Sequence, residues 1–123
     1  MTAKVYFSKE ITPEKVVALY RALGVELPGR VAAKVHSGEK GNQNFLRPDF
    51  WKPMVEAVKG TIVECNTAYG DAFGGVRDHT DSHRKLIEYH GWSKVFDVDL
   101  MDAEGPDMVL PVEGGKILKE NLV

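Results

Sequence analysis

The stretch that decides the fold is residues 60–83, which read GTIVECNTAYGDAFGGVRDHTDSH. It opens with Thr61, Ile62 and Val63, a β-branched run typical of a buried strand. Within the length of one strand the sequence then changes to acid, thiol, amide and hydroxyl side chains, and a glycine-rich loop follows. A helix is predicted to begin near Thr80. A buried strand that turns polar just before a glycine loop is typical of a binding or catalytic site.

Strands and helices are predicted to alternate on both sides of this stretch. Strands are expected at residues 3–7, 30–36, 94–101 and 108–112, and helices after Thr12, after Pro48, over residues 80–90 and from Lys116. This order predicts a three-layer α/β fold, with a mostly parallel sheet, helices on its faces and a short antiparallel C-terminal hairpin. We expect a single domain over residues 1–123.

The composition argues against several classes of protein. The 123 residues are 43% hydrophobic and 28% charged, as in ordinary globular proteins, and the net charge is -2. The 16 basic and 18 acidic residues are interspersed, so no nucleic-acid partner is predicted. The apolar runs are short, so no membrane partner is predicted, and a cytoplasmic location is the expectation. A single cysteine, Cys65, cannot close an internal disulfide or hold an iron–sulfur cluster alone.

Polar residues collect where the predicted strands end. In open parallel sheets ligands bind beyond the carboxyl ends of the strands, so we predict a site there for a small anionic or metal-bound ligand. Scattered loop polarity is the alternative. The prediction requires His36, Glu64 and Asp99 to meet at one edge of the sheet. The candidate ligand-binding residues are Lys34, His36, Glu39, Asn44, Glu64, Asn66, Tyr69, Arg77, His83 and Asp99.

Lys34 and Glu64 each interrupt an otherwise apolar strand. Because consecutive strands are often neighbours in a sheet, the two side chains are predicted to pair. One interpretation is a structural ion pair, in which loss of either partner leaves the other without its counter-charge. The other is a carboxylate base with a tuned pKa. Both interpretations remain open at this point.

Two further motifs near the glycine loop are less specific. His79 and His83 are four residues apart, the spacing that places two imidazoles on one helix face, but no HExxH glutamate lies between them. No metal site is predicted, and His83 is expected to anchor a loop or face a substrate. The loop at residues 70–75 matches neither GxGxxG nor GxxxxGK[ST], which favours a turn or lid over a phosphate cradle. Arg77 could still contact a carboxylate or phosphate.

Several segments together carry a resemblance to a known family. They are TAKVYFSKEIT (2–12), KVHSGE (34–39), NFL (44–46), ECNTAY (64–69), Arg77, Thr80, His83, HGW (90–92), residues 99–102 and residues 111–116. These segments resemble the amino-terminal part of the "domain of unknown function 362" family, which implies an association with iron–sulfur proteins of unknown activity. A 4Fe-4S cluster is implied only for longer members, which carry CxxCxxCxxxCP motifs, and no cofactor is expected within this chain.

The resemblance also implies that this chain is the amino-terminal portion of a longer family-type domain, either a fragment or a short member. Such a chain would be prone to self-association, because a sheet edge or apolar face would lack its cover. Three functional classes stay open. The first is a small-ligand site in a protein of unknown activity, and the second is a non-catalytic protein-interaction module. The third is an acid–base hydrolase or isomerase that uses Glu64 or His83.

Overall fold

A computed structural model describes residues 3–67, 79–105, 108–117 and 121–122 of the chain, with the backbone alone at 79, 121 and 122. Its elements, in chain order, are α1 (Pro13–Leu23), β1 (Ala32–Lys34), α2 (Pro48–Val58), β2 (Thr61–Cys65), α3 (His79–Tyr89), a 3₁₀ turn (Trp92–Lys94), β3 (Val98–Met101), β4 (Leu110–Pro111) and β5 (Asn121–Leu122). No helix in these ranges is both long enough and apolar enough to cross a bilayer.

The main sheet is parallel throughout and has the strand order β1-β2-β3. Ala33 of β1 lies beside Ile62 of β2, and Ile62 lies beside Val98 of β3. The short strands β4 and β5 form a separate antiparallel pair. The predicted α/β class and the parallel sheet are therefore confirmed. An antiparallel C-terminal hairpin is also present, but it pairs β4 with β5 and not, as expected, the predicted strands 94–101 and 108–112.

α1 begins where the sequence signals predict, whereas α2 begins earlier than expected, with Pro53 inside the helix. Thr12 caps α1, since its side-chain oxygen accepts a hydrogen bond from the backbone N–H of Lys15 at 3.3 Å, and Pro13 occupies the first turn. Gly24 ends α1 with a φ of 63°, a left-handed conformation that costs glycine little. α2 begins directly at Pro48. α1 packs against α2, which is the crossover helix between β1 and β2.

The hydrophobic core lies on one face of the sheet. Its buried members are Val35, Phe45, Val55, Ile62, Ile87, Trp92 and Leu100. Val55 belongs to α2 and Ile87 to α3, so both helices pack against the same face. Consecutive strand order with right-handed crossovers places successive helices on one side of a sheet. On the opposite face, Thr61, Cys65 and Asp99 are exposed.

Two predicted elements are wrong. Residues 3–7 form no strand, because a strand needs a hydrogen-bonding neighbour and none of the described strands pairs with them. The helix predicted from Lys116 is not formed either. A turn at residues 113–114 and a bend at 116–117 reverse the chain, so that Asn121–Leu122 pairs with β4. In addition, β3 is shorter than predicted, because the 3₁₀ turn takes up Lys94.

Candidate functional site

A buried carboxylate lies at the carboxyl end of β2. Glu64 is 4% exposed, and its Oε2 accepts the backbone N–H of Ser37 at 2.7 Å. Its Oε1 accepts the backbone N–H of Cys65 at 3.1 Å and lies 3.0 Å from Nζ of Lys34. The predicted Lys34–Glu64 pair is thus confirmed. It joins β1 to β2 across the edge at which both strands end.

The two partners of this pair differ in their environment, and so do the expected effects of removing them. In Glu64→Gln one oxygen becomes an amide donor, which leaves a backbone N–H without its acceptor, and we expect a loss of about 1–3 kcal/mol in the free energy of unfolding. The Lys34 side chain is 56% exposed. Lys34→Met should therefore cost only about 0–1 kcal/mol, because solvent screens this charge. Urea denaturation of both variants measures the difference, and equal losses would contradict it.

His83 of α3 is buried beside this carboxylate. It is 4% exposed, and its Nε2 lies 3.2 Å from the hydroxyl oxygen of Ser37. Among the described residues, its Nδ1 has no hydrogen-bond partner. Burial lowers the pKa of His83 below 6.5, while the nearby carboxylates of Glu64 and Glu39 act to raise it. The net lowering favours the neutral imidazole, which carries one N–H donor and one acceptor nitrogen.

The Ser37–Gly38 segment is held in place by two ring N–H groups. Nε1 of Trp92 and Nδ1 of His90 each lie 3.0 Å from the carbonyl oxygen of Ser37. Because a carbonyl oxygen only accepts, Nδ1 of His90 is assigned as a protonated donor. Gly38 has a φ of 92°, and its Cα packs against the rings of Phe45 and His90. These contacts orient the Ser37 hydroxyl toward His83.

A second chain of hydrogen bonds positions α3 relative to the sheet. Nδ2 of Asn66 donates to Oγ1 of Thr80 at 2.8 Å, and that hydroxyl donates to the carbonyl oxygen of Ala103 at 2.8 Å. These bonds connect the segment after β2, the first turn of α3 and the turn after β3. Asn66, a candidate ligand-binding residue, therefore has a structural partner. Its effect on His83 is through the placement of α3.

Other candidate residues lie around this cluster at different depths. The side chains of Glu39 and His36 are close enough to His83 to influence its pKa, the first raising it and the second lowering it. Asn44 is exposed on the loop before α2, where its backbone N–H donates to Oδ1 of Asn42. Tyr69 and Arg77 lie outside the described residues, as does the glycine loop at residues 70–75.

Asp99 does not join Glu64, although both lie on adjacent strands. In the parallel register Asp99 is beside Val63, whereas Glu64 is beside Leu100. Because successive side chains of a strand point to opposite faces, the Asp99 carboxylate is on the face opposite the core and Glu64 is on the core face. The expected meeting of three polar segments is therefore limited to the segments after β1 and β2, joined by α3.

The sequence reasoning missed residues that hold the cluster together. Ser37 was seen only as one polar residue after a strand, and its backbone N–H and hydroxyl contact Glu64 and His83. Trp92 carried no chemical signal of its own. The one signal for Ser37 is its position between the predicted strand at residues 30–36 and Gly38, where the chain leaves the carboxyl end of β1.

The pH dependence of stability should report the buried His83. Its ordinary pKa in an unfolded chain is about 6.5, and its folded pKa is lower. The unfolded state therefore binds more protons as the pH falls through about 6.5, so the free energy of unfolding should decrease there, by at most about 1.4 kcal/mol per pH unit. Urea denaturation between about pH 5 and pH 7.5 measures this slope. His83→Gln should flatten it, and an unchanged slope in that variant would contradict the assignment.

These features define an α/β protein with a buried Ser–His–Glu cluster, and an adjoining lysine, at the carboxyl edge of a three-stranded parallel sheet. Among the described residues, no group of three or more His, Cys, Asp and Glu side chains is arranged to hold a metal ion. No protein-family model, curated protein or solved structure matches the chain.

Proposed function

We propose that this chain binds a small anionic ligand, a carboxylate or a phosphate, at the carboxyl edge of its parallel sheet. The observation that carries the proposal is the buried Nδ1 of His83, which has no hydrogen-bond partner among the described residues. A buried polar atom without a partner costs about 1–3 kcal/mol, and a ligand oxygen would remove that cost.

The hydrogen bond to Ser37 favours one tautomer of His83. If the Ser37 hydroxyl donates to Nε2, the ring proton is on Nδ1, and only that N–H lacks a partner among the described residues. In the other tautomer the ring proton is on Nε2 and donates to the Ser37 oxygen. The Ser37 hydroxyl proton and the Nδ1 lone pair would then both lack a partner. The first arrangement leaves fewer unsatisfied groups. His83 then offers a buried N–H donor, which suits an oxygen of an anion.

Lys34 supplies the positive charge for the same ligand. Its ammonium group has three N–H donors, and its contact with Oε1 of Glu64 holds it at the end of β1. Because the Lys34 side chain is 56% exposed, its other donors face outward. Charge-assisted hydrogen bonds from an ammonium to a carboxylate or phosphate are stronger than neutral ones.

Thermal unfolding with sodium phosphate or sodium acetate tests the proposal, with sodium chloride at matched ionic strength as the control. A ligand at 100 times its Kd adds about 2.7 kcal/mol to the free energy of unfolding, so one of the two anions should raise the Tm. His83→Gln keeps an amide near the position of Nε2, whereas His83→Asn keeps one near Nδ1. We expect the response to be lost in the glutamine variant and largely kept in the asparagine variant.

Three outcomes would contradict the proposal. They are a Tm that follows ionic strength alone, a response that survives His83→Gln, and a response to zinc chloride in place of either anion. The zinc arm tests the Nδ1 lone pair as a metal ligand, as required by the alternative tautomer. Lys34→Met provides a second check, because it should weaken the anion response without altering the His83–Ser37 hydrogen bond.

The Ser37–His83 contact favours a second candidate function, an acid–base hydrolase. At 3.2 Å from Oγ, Nε2 is placed to accept the serine proton. No acid orients the Nδ1 side of the ring among the described residues, so the pair is a dyad. Phenylmethylsulfonyl fluoride tests it: the Ser37 oxygen would bond to sulfur, fluoride would leave, and Nε2 would take the proton. Mass spectrometry should find the adduct on Ser37 and lose it in His83→Gln. An unlabelled Ser37 would exclude this function.

The resemblance to the "domain of unknown function 362" family stays a prediction, and it is compatible with either candidate. The anion-site proposal depends on the geometry of His83, Ser37 and Lys34 alone. A positive anion response would therefore stand whether or not the chain is related to that family.

A further inference from the structure

The amino-terminal segment, residues 3–7 with the sequence AKVYF, lies outside every described helix and strand, and all five of its residues are exposed. Val5 is 88% exposed and Phe7 is 79% exposed. No described strand pairs with this segment; of its neighbours, Ser8 and Glu10 hydrogen-bond to each other, and Glu10 also forms an ion pair with Lys15 of α1. Its residues alternate between apolar and polar or amphipathic side chains, the pattern of a strand with one face toward a core.

The outer edge of β3 is the complementary feature. β3 pairs only with β2 among the described strands, so its outer edge has no strand neighbour within the described residues. A groove of about 1000 Å³ runs along this edge. Apolar side chains of Ile87, Phe96 and Val98 line it together with the carboxylates of Asp97 and Asp99.

We propose that residues 3–7 of one copy of this chain add as a parallel strand to the outer edge of β3 in a second copy, forming a symmetric dimer. With Val5 beside Val98 and Phe7 beside Leu100, both apolar residues fall on the core face. The same register places Lys4 beside Asp97 on the opposite face. Two antiparallel registers keep the same face inward: one places Lys4 beside Met101, and the other places Lys4 beside Asp99 and Phe7 beside Phe96. Phe96 lies outside β3, whereas the parallel register keeps both the Lys4–Asp97 charge pair and Phe7 beside a residue of β3, so it is favoured.

Charge also distinguishes the two free edges of the sheet. The amino-terminal segment carries Lys4 and Lys9, and the edge strand β1 is flanked by Arg30 and contains Lys34. The β3 edge carries the carboxylates of Asp97 and Asp99. Lys94 and Arg84 also line its groove, but Arg84 pairs with Glu104. The segment is joined to α1, which packs on α2, whereas the groove lies beyond α3. A second copy can therefore supply the segment without any movement of α1, and exchange in both directions gives a two-fold interface.

Light scattering after size exclusion, over a concentration series of the full chain, tests the proposal. The wild type should approach twice the monomer mass as concentration rises, and the double variant Val5→Asp, Phe7→Asp should remain monomeric. Val25→Asp, which places the same charge on another exposed apolar residue, is the matched control and should still dimerise. Circular dichroism of each variant verifies that it is folded.

A charge exchange tests the register. Lys4→Asp and Asp97→Lys should each raise the dimer dissociation constant, and the two together should restore it toward the wild-type value. The proposal would be overturned if the wild type stayed monomeric at all concentrations, or if the double variant Val5→Asp, Phe7→Asp still formed the dimer. The second result would mean that the dimer forms through other surfaces. His83→Gln should leave the dimer intact, so this result is independent of the proposed anion site.

Discussion

Trp92→Ala is expected to lower the free energy of unfolding by about 3–5 kcal/mol, the largest effect of any single substitution in the described core. Trp92 is 0% exposed and belongs to the same cluster as Ile62 and Leu100. Its removal leaves a cavity between α3 and the sheet, and it also removes the Nε1–H donor from the carbonyl oxygen of Ser37. Urea denaturation monitored by far-UV circular dichroism measures the loss.

Trp92→Phe separates packing from hydrogen bonding at this position. Phenylalanine keeps most of the buried ring but has no N–H, while His90 still donates to the same carbonyl. We expect a smaller loss, about 1–2 kcal/mol, from one hydrogen bond and a reduced volume. If the alanine and phenylalanine variants were equally unstable, the hydrogen bond and not the packing would dominate. If neither lost stability, the position of Trp92 in the core would be wrong.

Gly38→Ala should destabilise the protein by about 2–4 kcal/mol and disturb the site at the same time. A Cβ at this position would lie 2.7 Å from Cδ1 of Phe45 and 2.9 Å from Nδ1 of His90, both closer than such contacts allow. The φ of 92° adds strain for any residue with a Cβ. Phe45 is buried, so it cannot easily move aside. Displacement of His90 would remove one of the two donors to the Ser37 carbonyl oxygen and so weaken the positioning of Ser37 against His83.

Gly41→Ala is the matched control for that variant, because Gly41 is on the same loop. Its φ is 80°, but no atom lies within 4 Å of the added Cβ. Only backbone strain of about 1–2 kcal/mol is expected there. Two-dimensional NMR of the imidazole nitrogens should show a changed His83 environment in Gly38→Ala and an unchanged one in Gly41→Ala. Equal effects of the two variants would mean that the turn is not closely packed.

The ion pair illustrates what could be predicted from the sequence. Lys34 and Glu64 stood out because each interrupts an apolar strand, and the rule that consecutive strands are neighbours brought them together. The observed distance of 3.0 Å confirms this pair. The difference in exposure between the partners was not predictable, because it depends on which strand lies at the edge of the sheet.

The sequence pattern left undetermined on which face of the sheet each polar side chain lies. Asp99 and Glu64 both follow apolar residues in strands, and their sequence contexts look alike. A shift of one residue in register moves a side chain to the other face. The pairing of Val63 with Asp99 therefore separates Asp99 from Glu64. The amino-terminal strand was predicted from its alternation, but a strand also requires a neighbour, which alternation does not reveal.

Local sequence signals by themselves determined the α/β class, the start of α1, and the parallel direction of β1, β2 and β3, since short-range propensity, capping and crossover handedness depend on nearby residues. Only the tertiary structure decided that Ser37 joins Glu64 to His83 and that Trp92 holds the Ser37 carbonyl. Those contacts span 27, 46 and 55 positions of the chain. The physical reason is that side chains so far apart meet only after the helices have packed on the sheet, and register and packing then determine which atoms face each other.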